Sequence, residues 1–323
     1  MNKILLLRVA STSWRLGRRV GVGRARVRSE VKRSEARQNA TLFIQFIMLT
    51  ATTTAPFAPT KPTTTTRRQH RRRTSVRVAA ASAGTLYDVP VSNNGARVRL
   101  ISRWKNVDID IVNPNEAFEG GIKGSAYAEI NPQMKMPTFV AADGLRLPES
   151  EVISQYLLDA FADRAPSLTP ASLNARACAS LAVRIHDVYI APVQGAMYRG
   201  PMDRATRAEG IKEIARQMDA LEEVCARCEG PFIAGDSPSF ADAAVFPTLI
   251  FMDFLLPKYF GWKSAFEGRP ALEREYAAMM KDAAGKATYD EVRGGLEAWQ
   301  AAGRFEKVGV VEDVADASFK WAY

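Results

Sequence analysis

Ser92 opens the run Ser92-Asn93-Asn94-Gly95-Ala96-Arg97-Val98-Arg99, where an apolar strand gives way to a helical stretch. A hydroxyl at the positive end of a helix can donate to an anion held there. A thiolate is one such anion: an ordinary thiol titrates at about 8.5, and lowering that by about two units takes roughly 2.7 kcal/mol. One charge-assisted hydrogen bond contributes about 1.5–3 kcal/mol, so the hydroxyl and the helix end suffice without a base. A helix-capping role for the same serine is the simpler alternative. Further on lie Met136-Pro137 and Glu149-Ser150. A cis bond before Pro137 turns the Met136 main chain outward, where its N–H and C=O can pair with an extended peptide. Glu149-Ser150 at a helix start offers a carboxylate to an ammonium and free amides to a carboxylate. Taken singly, Met-Pro is also plain strand punctuation, and Glu-Ser an ordinary helix start.

The elements that must position these residues follow from periodicity. Leu86–Val91 reads as a strand, 96–104 as a helix and Val107–Val112 as a second strand. The glycine-broken segment 118–130 reads as a loose helix, and a strand follows the proline. Asp143-Gly144 makes a hairpin turn. The helix after Glu149 carries Val152, Ile153, Tyr156 and Leu157 on one face. That βαβαββα order predicts an α/β, thioredoxin-like domain over 84–162. A linker at 163–171 leads into an all-α domain over 172–323. Its helical spacing covers 173–197, 204–228, 240–256, 271–283 and 289–302. Ser239-Phe240-Ala241-Asp242 is a capping-box variant.

The serine, the proline strand and the Glu-Ser helix, in this order and spacing, resemble the soluble glutathione transferases of serine type. As in the tau and zeta classes, Ser92 lies five residues before an Arg-Val pair, Arg97-Val98. Asn93-Asn94 stand where zeta enzymes carry Ser-Cys and tau enzymes Pro-Phe, which sets the chain apart from both. The resemblance implies glutathione as co-substrate, no metal, and attack of its thiolate on a hydrophobic electrophile or peroxide. It implies Ser92 as the catalytic residue. Lys123, Lys135, Met136, Pro137, Glu149 and Ser150 would then hold the peptide, the two lysines matching the tau pattern for the glycyl carboxylate. The electrophile is expected against the helical half, with Tyr189, Val193 and Met197 as walls, and the assembly as a homodimer. One alternative is a glutathione-dependent thiol oxidoreductase or dehydroascorbate reductase, which wants a cysteine where Ser92 stands. The other is a transferase-like binding module without turnover.

Charge divides the chain. Residues 1–83 hold 18 Lys/Arg against two Asp/Glu, a net of +16, and the remainder carries −7. The overall +9 is thus no argument for a nucleic-acid surface, because the foldable part is acidic. The Arg-, Thr- and Ser-rich front resembles a plastid transit peptide, with mitochondrion or cytoplasm as alternatives and Met48 as an alternative start. Its longest apolar run, 42–49, falls far short of a membrane span. Three cysteines fit a reducing compartment. Cys225-Ala226-Arg227-Cys228 closes a long helix, where the dipole disfavours a thiolate. Of the two histidines, His70 lies in the basic front and His186 mid-helix, which leaves no metal-ligand set. Tyr87, inside the first strand, reads as packing.

Overall fold

The computed structural model describes residues 82–323; the basic front, apart from its last two residues, lies outside the described residues. Four strands form one mixed sheet in the order β2-β1-β3-β4. β1 (Gly84–Tyr87) pairs in parallel with β2 (Asp110–Val112), and α1 (Asn93–Trp104) makes the crossover between them. β1 also pairs antiparallel with β3 (Thr138–Ala141), which turns at Asp143-Gly144 into β4 (Arg146–Pro148). α4 (Ser150–Ala160) then packs beside α1. Leu86 and Phe139, register partners on one face, join Val98, Ile101, Ile153 and Leu157 in a fully buried core. Tyr87 faces the other side and stacks on Phe118 and Tyr127 at 5.5 and 5.9 Å, a packing role as its place in the strand suggests. This is a thioredoxin-like domain followed by a helical one.

In the thioredoxin-like domain three local readings differ from the structure. The first strand ends at Tyr87: the bond from the Asp88 N–H to the Val112 carbonyl closes its ladder, and Pro90 has no N–H to carry it on. The second is confined to Asp110–Val112 at the sheet edge. The loose helix is three short pieces: α2 (Pro114–Ala117), a 3₁₀ turn at Gly121–Lys123 and α3 (Ser125–Ile130). Gly120 and Gly121, at φ 74° and 57°, take left-handed conformations that break the run.

In the helical half, α5 (Leu173–Ile185) runs into a π turn at His186–Ile190 and a 3₁₀ turn at Gln194–Met197. Pro192 brings no N–H to an α-helical ladder here, and Ala191 bonds back five residues to the His186 carbonyl at 2.8 Å. α6 (Arg204–Ala226), α7 (Phe240–Tyr259), α8 (Pro270–Lys281) and α9 (Ala283–Ala301) follow. α7 opens on the anticipated capping box, with Ser239 and Asp242 reciprocally bonded. It is long and apolar enough to cross a membrane by length and composition, but 83% of that stretch is buried by its neighbours. It is the central core helix of this half. Two short helices, α10 (Arg304–Lys307) and α11 (Val310–Val314), end the chain; Phe305, Val310 and Trp321 are buried in the same core.

Candidate active site

Ser92 caps α1: its Oγ accepts the Gly95 N–H at 3.0 Å. The capping and the chemical readings are therefore compatible. Capping uses a lone pair, and the hydroxyl proton keeps no acceptor among the described residues. The approach to Ser92 is latched. Arg99, buried in α1, donates to the Val89 and Pro90 carbonyls at 3.3 and 2.8 Å, contacts the buried Asp88 carboxylate, and reaches Glu291 of α9 at 3.0 Å. Removing either member of a buried ion pair costs about 3–5 kcal/mol, so this latch is also structural. Gly95 sits against Asp88 with no room for a Cβ, which is why glycine stands there.

The Met136 loop is held from beneath. The Lys135 carbonyl accepts from the Tyr127 hydroxyl (2.8 Å), Asn131 Nδ2 (3.1 Å) and the Thr138 hydroxyl (3.2 Å), all three side chains being buried. Met136–Pro137 is cis. The Met136 N–H and C=O have no partner among the described residues. Glu149 is the N-cap of α4 at φ 72°, a left-handed conformation costly for a glutamate. Its side chain makes no capping bond, which leaves the first-turn amides of α4 open.

One cavity of about 510 Å³ gathers these parts, lined by Ser92, Lys123, Lys135, Met136, Pro137, Glu149 and Ser150 together. All seven anticipated peptide-site residues share it. The three anticipated wall residues do not line it: Tyr189 is half exposed on the surface, Val193 lies partly buried against the core, and Met197 is fully buried. The π turn supplies the reason. It takes an extra residue, so side chains within and beyond it fall out of α-helical register. Ala191, Gln194 and Tyr198 line the cavity instead, with Arg199, Phe251 of α7 and Trp299 of α9. Tyr198, Phe251 and Trp299 form an aromatic wall with ring centroids 5.3–6.3 Å apart. Arg304 of α10 stacks on Trp299 at 4.2 Å, so the tail braces that wall. Nothing local in the sequence marked these rings, because they come from three elements spread over some 100 residues.

Behind Ser92 a buried polar chain crosses to the helical half. Asn93 Nδ2 donates to Gln194 Oε1 at 2.7 Å and to Thr248 Oγ1 at 2.8 Å. Thr248 Oγ1 meets His186 Nε2 at 2.7 Å, and His186 Nδ1 meets Asp187 at 2.7 Å. Asp187 also pairs with the Arg97 guanidinium at 3.0 Å. Burial alone would push the Asp187 carboxyl up; the His186 hydrogen bond and the Arg97 charge outweigh it and hold the carboxyl below its usual range. None of Cys178, Cys225 and Cys228 lines the cavity, and burial pushes the Cys225 thiol up. No group of His, Cys, Asp and Glu suited to a metal ion occurs among the described residues.

Comparison with known proteins agrees with this geometry. A glutathione S-transferase N-terminal domain model matches residues 86–165, and a glutathione S-transferase C-terminal domain model matches 204–274. Glutathione S-transferase 3 of Zea mays is 27% identical over 215 residues, covering 60% of this chain and 93% of that protein. "Probable glutathione S-transferase DHAR1, cytosolic" of Oryza sativa subsp. japonica is 28% identical, covering 58% and 78%. In three dimensions the chain is similar to poplar glutathione transferase F1, with a TM-score of 0.56 and 22% identity over 66% of this chain and all of that one. With both domain models in their proper order on a thioredoxin-like domain and a helical one, the chain belongs to the soluble glutathione transferase superfamily.

Proposed function

We propose that this protein binds glutathione in the 510 Å³ cavity and activates its thiol for attack on a hydrophobic electrophile or peroxide, as a serine-type, tau- or zeta-like enzyme. The observation that carries the reading is the convergence of the seven residues on one cavity. Glu149 takes the γ-glutamyl ammonium. The Ser150 hydroxyl and the open first-turn amides of α4 take the adjacent carboxylate. The Met136 main chain pairs with the cysteinyl unit as an added strand would. Lys123 and Lys135, both exposed at the rim, take the glycyl carboxylate. That leaves the sulfur at the head of α1, where Ser92 donates its free hydroxyl proton and the helix end adds its field. The thiol proton leaves to water, and no protein base is needed. The electrophile lies against Tyr198, Phe251 and Trp299.

A thiol oxidoreductase is the second reading, favoured by the name of the rice relative. That chemistry needs a protein thiol at the sulfur, and no cysteine lines this cavity. Detoxification in a plastid, by a homodimer, completes the proposal. The basic front, +16 over 83 residues, supports the plastid, and twofold symmetry is the commonest arrangement of oligomers. Calorimetric titration with glutathione, beside conjugation of 1-chloro-2,4-dinitrobenzene, tests the reading. Saturable binding that Ser150→Ala weakens, together with conjugate formation, is expected. A chain that binds no glutathione would refute it.

A further inference from the structure

The buried polar chain behind Ser92 has a direction, set by one charge. Asp187 is held ionised beside Arg97 and can only accept, so His186 presents Nδ1–H to it, and in that neutral tautomer Nε2 is an acceptor. In that tautomer Thr248 donates its hydroxyl to Nε2, and its oxygen accepts from Asn93 Nδ2. The second Asn93 amide hydrogen goes to Gln194, which therefore presents Oε1 inward. Asn93 Oδ1 accepting the Asn94 N–H at 3.0 Å fixes the Asn93 amide the same way round. The Asn93 amide, fixed in this way, sets the orientation of Gln194, and the last free group is Gln194 Nε2. Gln194 is only 4% exposed, yet it lines the cavity. Its Nε2 has no partner among the described residues and is not among the fully enclosed polar atoms left without one.

We infer that Gln194 is a specificity-determining residue. Its carboxamide N–H is aimed at the second substrate and selects flat electrophiles that carry an acceptor oxygen conjugated to the reacting carbon, such as enones, quinones and nitroarenes. This rests on the transferase reading. The aromatic wall of Tyr198, Phe251 and Trp299 takes the flat body. In an enone the thiolate sulfur bonds to the β-carbon and the π pair moves onto the oxygen. Gln194 stabilises that oxygen, and water later supplies the proton that ends on the α-carbon. Because the amide is pinned by Asn93, little orientation is lost when the bond forms.

Stable conjugates test this without turnover. Gln194→Glu keeps volume and the bond from Asn93 but turns the cavity-facing donor into an acceptor; Gln194→Met removes the donor. Both are expected to weaken S-(2,4-dinitrophenyl)glutathione by roughly tenfold while leaving S-hexylglutathione unchanged, as read by calorimetry. Thr248→Val, which breaks the chain outside the cavity, is expected to weaken the dinitrophenyl conjugate selectively by about threefold. Equal loss of both conjugates, or no loss with Gln194→Glu, overturns the inference and leaves the transferase reading intact. A wild-type protein that binds neither conjugate overturns the transferase reading, and the inference with it.

Discussion

Glu149→Gly should move stability and binding in opposite directions. Glu149 holds φ at 72° with ψ at 117°, outside the regions ordinary residues occupy. Such a backbone costs about 1–3 kcal/mol, and glycine would remove most of it. Glycine in turn loses more freedom on folding, about 0.5–1 kcal/mol. The balance is a gain of about 1 kcal/mol, because the side chain makes no capping bond whose loss must be subtracted. For a domain pair of this size that raises Tm by about 2–4 °C. Binding goes the other way. The lost pairing of the carboxylate with the γ-glutamyl ammonium, at about 1.5–3 kcal/mol, weakens glutathione roughly 10- to 150-fold. Differential scanning calorimetry and isothermal titration on the same samples give both numbers. A variant that is less stable and binds normally would refute the reasoning, since the strained backbone would then serve the fold and not the ligand.

Gly95→Ala should fail to fold or lose several kcal/mol, since its methyl would occupy the space of the Asp88 carboxylate beside Arg99; soluble yield and urea midpoints report it. Glu275 in α8 is buried with both oxygens unpaired, and burial, then the nearby Asp242, raises its carboxyl well above its ordinary value of 4.5. The folded state thus holds that proton more tightly than the unfolded chain, and stability is greatest below 4.5 and falls as pH rises, until the carboxyl ionises in the fold. Glu275→Met should therefore gain on wild type by about 1.4 kcal/mol per pH unit across that window in urea titrations, and a constant difference would contradict it. Fusion of residues 1–83 to a fluorescent protein should direct it to plastids, and diffuse cytoplasmic signal would end the targeting proposal.

The gathering of Ser92, Met136, Pro137, Glu149 and Ser150 on one cavity was legible because each part is a local backbone event. A serine at a strand-to-helix turn, a proline opening a strand and a Glu-Ser helix start are written in adjacent residues. Their order implied a common cavity before any contact was known. The aromatic wall of the cavity was not legible. The expected walls Tyr189, Val193 and Met197 lie on a stretch, 173–197, read as one helix, but the turn that bonds Ala191 to the His186 carbonyl shifts the register. Pro192 was the available signal. Phe251 and Trp299 meet Tyr198 only through the packing of α7 and α9, which no local pattern encodes. Asn93 looked like a departure from the family pattern; in the fold it is one of the bridges between the two domains.

The thiol of bound glutathione, titrated by its ultraviolet thiolate absorbance in wild type and Ser92→Ala, tests the role of Ser92 without any electrophile. The midpoint in wild type is expected about two units below the free value of about 8.5, and in the alanine variant most of the way back, with glutathione affinity nearly unchanged. Equal midpoints in the two proteins would contradict the account and leave Ser92 as a helix cap alone.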